Sequence, residues 1–393
     1  MAGPSPWTWI DQQPDFDRLC AELATVDAIA LDTEFHRERT YFPHVALVQL
    51  AWAGGLALVD PLKVSLEPLG AVIATGPAVV AHAAEQDFEV LDRACGAVPT
   101  RLFDTQIAAA FLGFSSASLA TLLDSLLGVR LPKGDRLTNW NRRPLTDDQL
   151  AYAASDVEHL IELRDVIVAR LDASGRRQWA DEECDRFRLR WQRQSVPEEA
   201  WWRLKETRRL RGSSRGVAQE VASWREHQAM AQDLPARFVL PDMAIAAIAQ
   251  RPPKSLGDLN HVRALEGRQP KPAMAKAIIE AVERGLALGE SDLHLPPVDD
   301  LERAMRPAVA LVAAWLGQLG KDLEIDATTL ATKADVQDLL SGSGRLTQGW
   351  RAQLVGEPVK ELIAGRAALA FDGDGRLVLE TRSGLPLAEH DGR

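Results

Sequence analysis

The chain has 393 residues, 46% hydrophobic and 26% charged, with a formal net charge of −11 and three cysteines, enough apolar content for two or three domains. Cys20, Cys95 and Cys184 are odd in number, far apart and in no C-x-x-C pair, which argues against a disulfide framework or a zinc knuckle and fits a reducing cytoplasm. The opening MAGPSPWTWIDQQPDF has no basic n-region or apolar h-region, and no apolar run approaches the ~20 residues of a membrane span, so neither export nor a membrane partner is expected.

In chain order, DAIALDTE, HVALVQLAW and GLALVD are short β-rich runs separated by polar or glycine-containing turns, as in an antiparallel meander, and VVAHA (79–83) reads as a fourth strand. Helical spacing follows in AEQDFEVLDRAC, DTQIAAAFLGF and SLATLLDSLLG. The segment from Pro144 to Gly175 predicts one long helix, with Thr146 and Gln149 in capping-box spacing at its start. The head is therefore mixed α/β. Residues 1–175 carry 13 Lys+Arg against 24 Asp+Glu, residues 176–290 carry 21 against 16, and residues 291–393 carry 11 against 16. An acidic head and tail flank a basic middle. Within the middle, RLKETRRLRGSSR (203–215) has six cations and one anion, either a solvated helix face or a stripe that contacts phosphates.

Asp32 and Glu34 stand two apart on a strand and point into one small volume. Alone the pair is either a solvated strand end or half of a divalent-metal site, in which a cation reverses the repulsion. Asp87 opens a helix just after a strand, and Tyr152 and Asp156 lie four apart on one helix face. Each is ordinary singly; four acids and a tyrosine in this order are far more specific.

With DTEFHRERTYFP, HAAEQDFEVL, FDTQIAAAFLG and LPKGDRLTNWNRRPLTDDQLAYAASDVEHL in ordered blocks over residues 27–172, the sequence resembles ribonuclease D, of the tyrosine subgroup of DEDD exonucleases. WWRLKETRRLRG, VASWREHQA and RFVLPDMAIAAIAQRPPKS resemble the helical HRDC domain that this family shares with RecQ-type helicases. The resemblance implies a ribonuclease H-like α/β exonuclease domain, a mixed sheet flanked by helices, over 1–175. A helical linker (176–197), an HRDC domain that is the RNA-binding candidate (198–290) and a second, divergent HRDC-like helical domain with a terminal hairpin (291–393) follow. The acidic tail is expected to pack against the catalytic head rather than bind RNA, yet deletion of residues 198–393 is expected to leave an active nuclease.

The same resemblance makes Asp32, Glu34, Asp87 and Asp156 the ligands of two divalent cations, Mg2+ or Mn2+, and Tyr152 the residue that orients the attacking water. It implies a 3′→5′ exoribonuclease that releases nucleoside 5′-monophosphates from tRNA precursors and other small structured RNAs, as a single chain. A DNA exonuclease and a catalytically silent RNA-binding scaffold are the alternatives; the intact set of five residues argues against the second. Phe35 and His36 are candidates to pack on the terminal nucleotide, although the family more often has an aliphatic residue at His36. His82 either lines the cleft or is a satisfied core histidine, and Asp104 reads as a helix N-cap rather than a fifth ligand. Trp140, Arg142 and Arg143 are candidates for the path of the 3′ end, Trp140 equally for a core anchor; Arg208, Arg209 and Arg211 are candidates for phosphate contacts.

Overall fold

The computed structural model describes residues 7–131, 139–191, 196–265, 270–296 and 305–382. Six strands form one mixed sheet: β1 (Thr8–Ile10), β2 (Ala28–His36), β3 (His44–Trp52), β4 (Gly55–Val59), β5 (Ala78–Ala81) and β6 (Leu102–Asp104), in the order β1-β4-β3-β2-β5-β6. The antiparallel meander β2-β3-β4 is as expected, with β5 parallel to β2, β6 parallel to β5 and β1 parallel to β4. Alternation along β2 and β3 sends side chains to two cores. Ile29, Leu31, Val48 and Leu50 pack with Phe16 and Leu23 of α1 (Gln13–Leu23) and with Leu69 and Ile73 of α2 (Glu67–Thr75). Ala30, Leu47 and Ala51 face the other way, under the helices that close that face.

Those helices are α4 (Thr105–Ala110), α5 (Leu119–Leu127), α6 (Asp147–Glu158) and α7 (Leu160–Ala173), whereas α3 (Glu85–Cys95) joins the core of α1 and α2 through Leu91. The α6 capping box forms as spaced: Thr146 accepts from the Gln149 N–H and the Gln149 side chain accepts from the Thr146 N–H. The single helix expected from Pro144 to Gly175 is instead two, because His159 leaves helical geometry at φ −109°, ψ 6°. The break lets α6 lie across the meander while α7 buries Leu160, Leu163, Ile167 and Leu171. The segment expected as a linker continues the domain: α8 (Arg177–Trp191) buries Cys184 beside β6 and sets Phe187 and Trp191 edge-on to Phe88, centroids 5.3 and 6.3 Å away. Residues 192–195 of that segment lie outside the described residues.

Residues 196–296 form an all-α unit whose core is separate, with Trp201, Leu204, Val221, Leu240, Ile245 and Ile278 at its centre. Its helices Ser213–Gln232 and Pro272–Ala287 cross at two glycines: a Cβ on Gly216 would stand 2.3 Å from the Gly285 carbonyl oxygen, and one on Gly285 would stand 2.5 Å from the Val217 Cα. The basic run 203–215 forms no single helix face. It lies in 3-10 turns at Pro197–Arg203 and Lys205–Thr207, after which Gly212, at φ +54°, starts the long helix. Arg208, Arg209 and Arg211 are exposed there.

This unit is held to the α/β domain at the β2-β3 loop. Asp233 accepts from the backbone N–H groups of Tyr41 (3.1 Å) and Phe42 (3.0 Å) and pairs with His44 Nε2 (2.6 Å), while the Tyr41 hydroxyl donates to Glu226 (2.7 Å).

Residues 305–382 pack on the α/β domain. Their helices Arg306–Leu323, Lys333–Leu340 and Glu357–Ile363 and the hairpin of β7 (Ala367–Phe371) and β8 (Leu377–Thr381) share one apolar cluster with α4 to α8. Trp350 stacks on Trp179 (4.7 Å, 14°) and meets Phe111 edge-on. Arg176 ties the two parts together by donating to the carbonyls of Phe111 (2.9 Å) and Leu323 (2.8 Å). Deleting 198–393 would strip this core, and the loss of Trp315, Leu316, Leu346 and Trp350 would leave Phe111 and Trp179 exposed, which argues against an active head on its own.

Candidate active site

Asp32 and Glu34 point from one face of β2, which lies between β3 and β5 in the sheet, where they pair in register with Gln49 and Leu47 of β3. Past Glu34 the register slips, so that Phe35 faces Val45 and Ala46 is the extra residue. This bulge ends the regular ladder beside the acids and frees the Ala46 carbonyl. On the other edge, β5 pairs with β2 only as far as Ala30, leaving Thr33 open to a side chain. Asp87 takes that place from the first turn of α3, where it is buried and accepts the Thr33 hydroxyl at 2.6 Å.

The start of α3 is itself fixed from a distance. Asp104 caps α4 by accepting from Gln106 N (2.8 Å) and Ile107 N (3.1 Å), and its carboxylate also accepts from Ala83 N (3.2 Å) and Ala84 N (2.9 Å). It is a double cap, which agrees with the N-cap reading. From above, α6 lies on the same sheet face and brings Tyr152 and Asp156 down together. One carboxylate oxygen from each of Asp32, Glu34 and Asp156 lies within 4.8 Å of the others. Asp87 stands at the edge of this group rather than in it, tied to Thr33.

Electrostatics match the geometry. Burial pushes the Asp32 carboxyl well above the carboxylate range, and the charges of Asp87, Asp156 and Glu34 add to this. Burial, then Asp156 and Asp87, raise Glu34 to about 8; burial raises Asp156 to about 7, against a hydrogen bond from Tyr152. Asp87 rises to about 6, also through burial, moderated by its bonds to Thr33. Tyr152 is pushed above its ordinary value by burial and then by Asp156, Glu34 and Asp32. Carboxylates that resist ionisation together are what a divalent cation relieves, and an all-oxygen donor set suits a hard cation.

The other expected residues are placed unevenly. Phe35 and His36 are half-buried at the end of β2, just past the bulge. His82 is not free to meet a ligand: Nδ1 lies 2.9 Å from the Thr105 hydroxyl, and Ala117 supplies a backbone partner. It is the satisfied histidine of the two readings. Trp140 is a core residue, 8% exposed, with its ring 6.2 Å from that of Tyr152. Arg142 is exposed beside it. Arg143 cannot line a path, because its guanidinium is spent on Asp60 and three backbone carbonyls. Arg208, Arg209 and Arg211 belong to the separate all-α unit. Thr33, which anchors Asp87, escaped the sequence reading; its place between the two acids of D-T-E was the only signal.

A half-buried carboxylate cluster on a mixed sheet flanked by helices, followed by a helical domain with its own core, defines a nuclease of the 3′→5′ exonuclease class. The family model described as a 3'-5' exonuclease matches residues 7–172, and the HRDC domain model matches residues 214–282. The chain is 35% identical to the ribonuclease D of Jannaschia sp. (strain CCS1), over 92% of this chain and 96% of that one, and 32% identical to the ribonuclease D of Escherichia coli (strain K12), over 88% and 95%. The crystal structure of Escherichia coli RNase D, described as an exoribonuclease involved in structured RNA processing, superposes with a TM-score of 0.82 at 30% identity, covering 92% of this chain and 99% of that one. The catalytic core of RRP6 from Trypanosoma brucei shares the fold, with a TM-score of 0.54 at 23% identity. The chain belongs to the ribonuclease D family and is a 3′→5′ exoribonuclease. Among the described residues no helix is long and apolar enough to cross a membrane.

Proposed function

We propose that this exoribonuclease hydrolyses RNA from the 3′ end to nucleoside 5′-monophosphates, that it needs two divalent cations, Mg2+ or Mn2+, and that it trims 3′ extensions of tRNA precursors and other small structured RNAs. The convergence of Asp32, Glu34 and Asp156 oxygens within 4.8 Å carries the reading. Asp32, central on β2 and under the charges of the other three, would hold both cations, with Glu34 and Asp156 as ligands of one and Asp87 of the other. When bound, the cations neutralise the scissile phosphate, supply an activated water and stabilise the departing 3′ oxygen.

The chain's own groups do the rest. Tyr152 donates its hydroxyl to Asp156 and, with its pKa raised, stays protonated at neutral pH. It therefore positions water by hydrogen bonding and does not act as a base. Phe35 and His36, at the end of the same strand, pack against the terminal nucleotide, and exposed Arg142 meets its phosphate. The exonuclease domain repels a polyanion outside the cation site, so the basic all-α unit holds the remaining RNA through Arg208, Arg209 and Arg211. A single-chain enzyme of the cytoplasm fits this division of labour.

The test is hydrolysis of labelled tRNA precursors and matched DNA with Mg2+, with Mn2+ or with chelator. Release of 5′-mononucleotides from RNA only when a cation is present is expected. Equal activity in chelator removes the cations from the reading, and preference for DNA removes the substrate assignment.

A further inference from the structure

Arg143 immediately precedes Pro144 in the segment that leads into α6, and it uses every donor of its guanidinium. Nε donates to Asp60 Oδ2 (2.8 Å), Nη2 to Asp60 Oδ1 (2.7 Å) and to the Ala46 carbonyl (2.7 Å), and Nη1 to the carbonyls of Trp140 (2.6 Å) and Arg142 (3.1 Å). Asp60 is 2% exposed and follows β4; Ala46 is the bulged residue of β3 beside Glu34. One side chain thus joins the ends of two strands of the catalytic sheet to the loop that carries Trp140. The Trp140 ring is buried against Tyr152, tilted 33° at 6.2 Å.

We propose that Arg143, held by Asp60, is a positioning residue for the reaction. It fixes the Trp140 loop against the β2-β3 bulge, and through the Trp140 ring it sets where the Tyr152 hydroxyl sits relative to Asp32 and Glu34. Three features support this over a purely structural ion pair. The planar fork is bidentate to a carboxylate, a geometry that lysine cannot reproduce. The two elements it ties, β3 at its bulge and the lead-in to α6, flank the two halves of the acid cluster. Among the described residues, the side-chain hydrogen bonds that run from the loop 139–143 to the sheet all come from Arg143. A displacement of about 1 Å at a reacting group costs on the order of a hundredfold in rate, so this tie is worth more to turnover than to binding.

This role rests on Tyr152 acting on the attacking water, and the experiment separates the two. Arg143→Lys is made in the full chain with Tyr152 present and in a Tyr152→Phe background, and kcat and KM at saturating Mn2+, and Mn2+ affinity by calorimetry, are measured. The expected result is a fall in kcat of about tenfold to a hundredfold with little change in KM, no comparable further fall when Tyr152 is already Phe, and weaker Mn2+ binding because Asp156 rides on the same helix. Equal losses in both backgrounds, or a folded Arg143→Lys chain with normal kcat and Mn2+ affinity, overturn the proposal. A Tyr152→Phe chain with wild-type turnover removes the role of Tyr152 instead. If Arg143→Lys does not fold, Asp60→Asn, which keeps the bonds of Arg143 to Ala46 and Trp140, is carried through the same cycle, and a kcat loss independent of Tyr152 again refutes it.

Discussion

Removing divalent cations should destabilise the exonuclease domain, and the loss should grow as pH rises. Glu34 ionises at about 8 against an ordinary 4.5, Asp156 at about 7 and Asp87 at about 6 against 3.8, and Asp32 is pushed well up as well. In each case the folded pKa lies above the unfolded one, so between about pH 4 and about pH 8 the folded chain holds protons that the unfolded chain has released. Stability is then fully present below the unfolded values and falls as pH rises through the folded ones. For Glu34 alone, at about 1.4 kcal/mol per pH unit, the loss is on the order of 4 kcal/mol by about pH 8. A cation at about a hundred times its dissociation constant returns roughly 2.7 kcal/mol, which for a domain of this size is roughly 5 to 10 °C in Tm. Thermal unfolding with chelator or Mn2+, at about pH 5 and about pH 8, measures this. Mn2+ should raise Tm strongly at the higher pH and little at the lower, where the acids are protonated and bind no cation. An Mn2+ shift of the same size at both pH values, or one that persists in Glu34→Gln, would refute the reasoning.

Three further outcomes follow from the structure. Tyr152→Phe should lower kcat at least tenfold with KM within about twofold, measured on a short oligoribonucleotide; a change confined to KM would make Tyr152 a binding residue. Changing Arg208, Arg209 and Arg211 together to Ala should lower the salt slope of tRNA-precursor binding by up to about 2 to 3, at about 0.7–0.9 for each phosphate no longer neutralised, and an unchanged slope takes these arginines out of RNA recognition. Gly285→Ala places a methyl group 2.5 Å from the Val217 Cα and should destabilise the all-α unit by about 1–3 kcal/mol in denaturant unfolding, leaving hydrolysis of short single strands in place; undiminished stability would mean that the two helices separate at no cost.

The site was far more legible in the sequence than the frame that holds it. Spacing alone puts Asp32 with Glu34 and Tyr152 with Asp156, because strand and helix periods are fixed; that the two pairs meet is a tertiary fact, which only the ordered family motifs supplied. The meander was readable from alternation, whereas β1 and β6, at three residues each, carry too little pattern and exist through their partners. The break at His159 has no glycine or proline to mark it. The apolar periods of residues 305–382 predict helices but not whose core they complete, and Trp350 stacks on Trp179 from 171 positions away in the chain. Arg143 was misread for a related reason: an arginine among exposed polar residues suggests phosphate, and its true partner, Asp60, lies 83 positions earlier. Long-range pairing of single charged residues leaves no local trace.

The most direct test of the central claim is to separate binding from hydrolysis in Asp32→Asn. Asp32 lies where the charges of Glu34, Asp87 and Asp156 all converge, so loss of its charge weakens every cation position while the basic all-α unit is untouched. The variant's release of 5′-mononucleotides from a 3′-labelled tRNA precursor and its affinity for that RNA are measured together at saturating Mg2+. Hydrolysis is expected to fall by at least about a thousandfold, with affinity within about threefold of wild type. Turnover near wild type would contradict the assignment of the acid cluster as the catalytic centre.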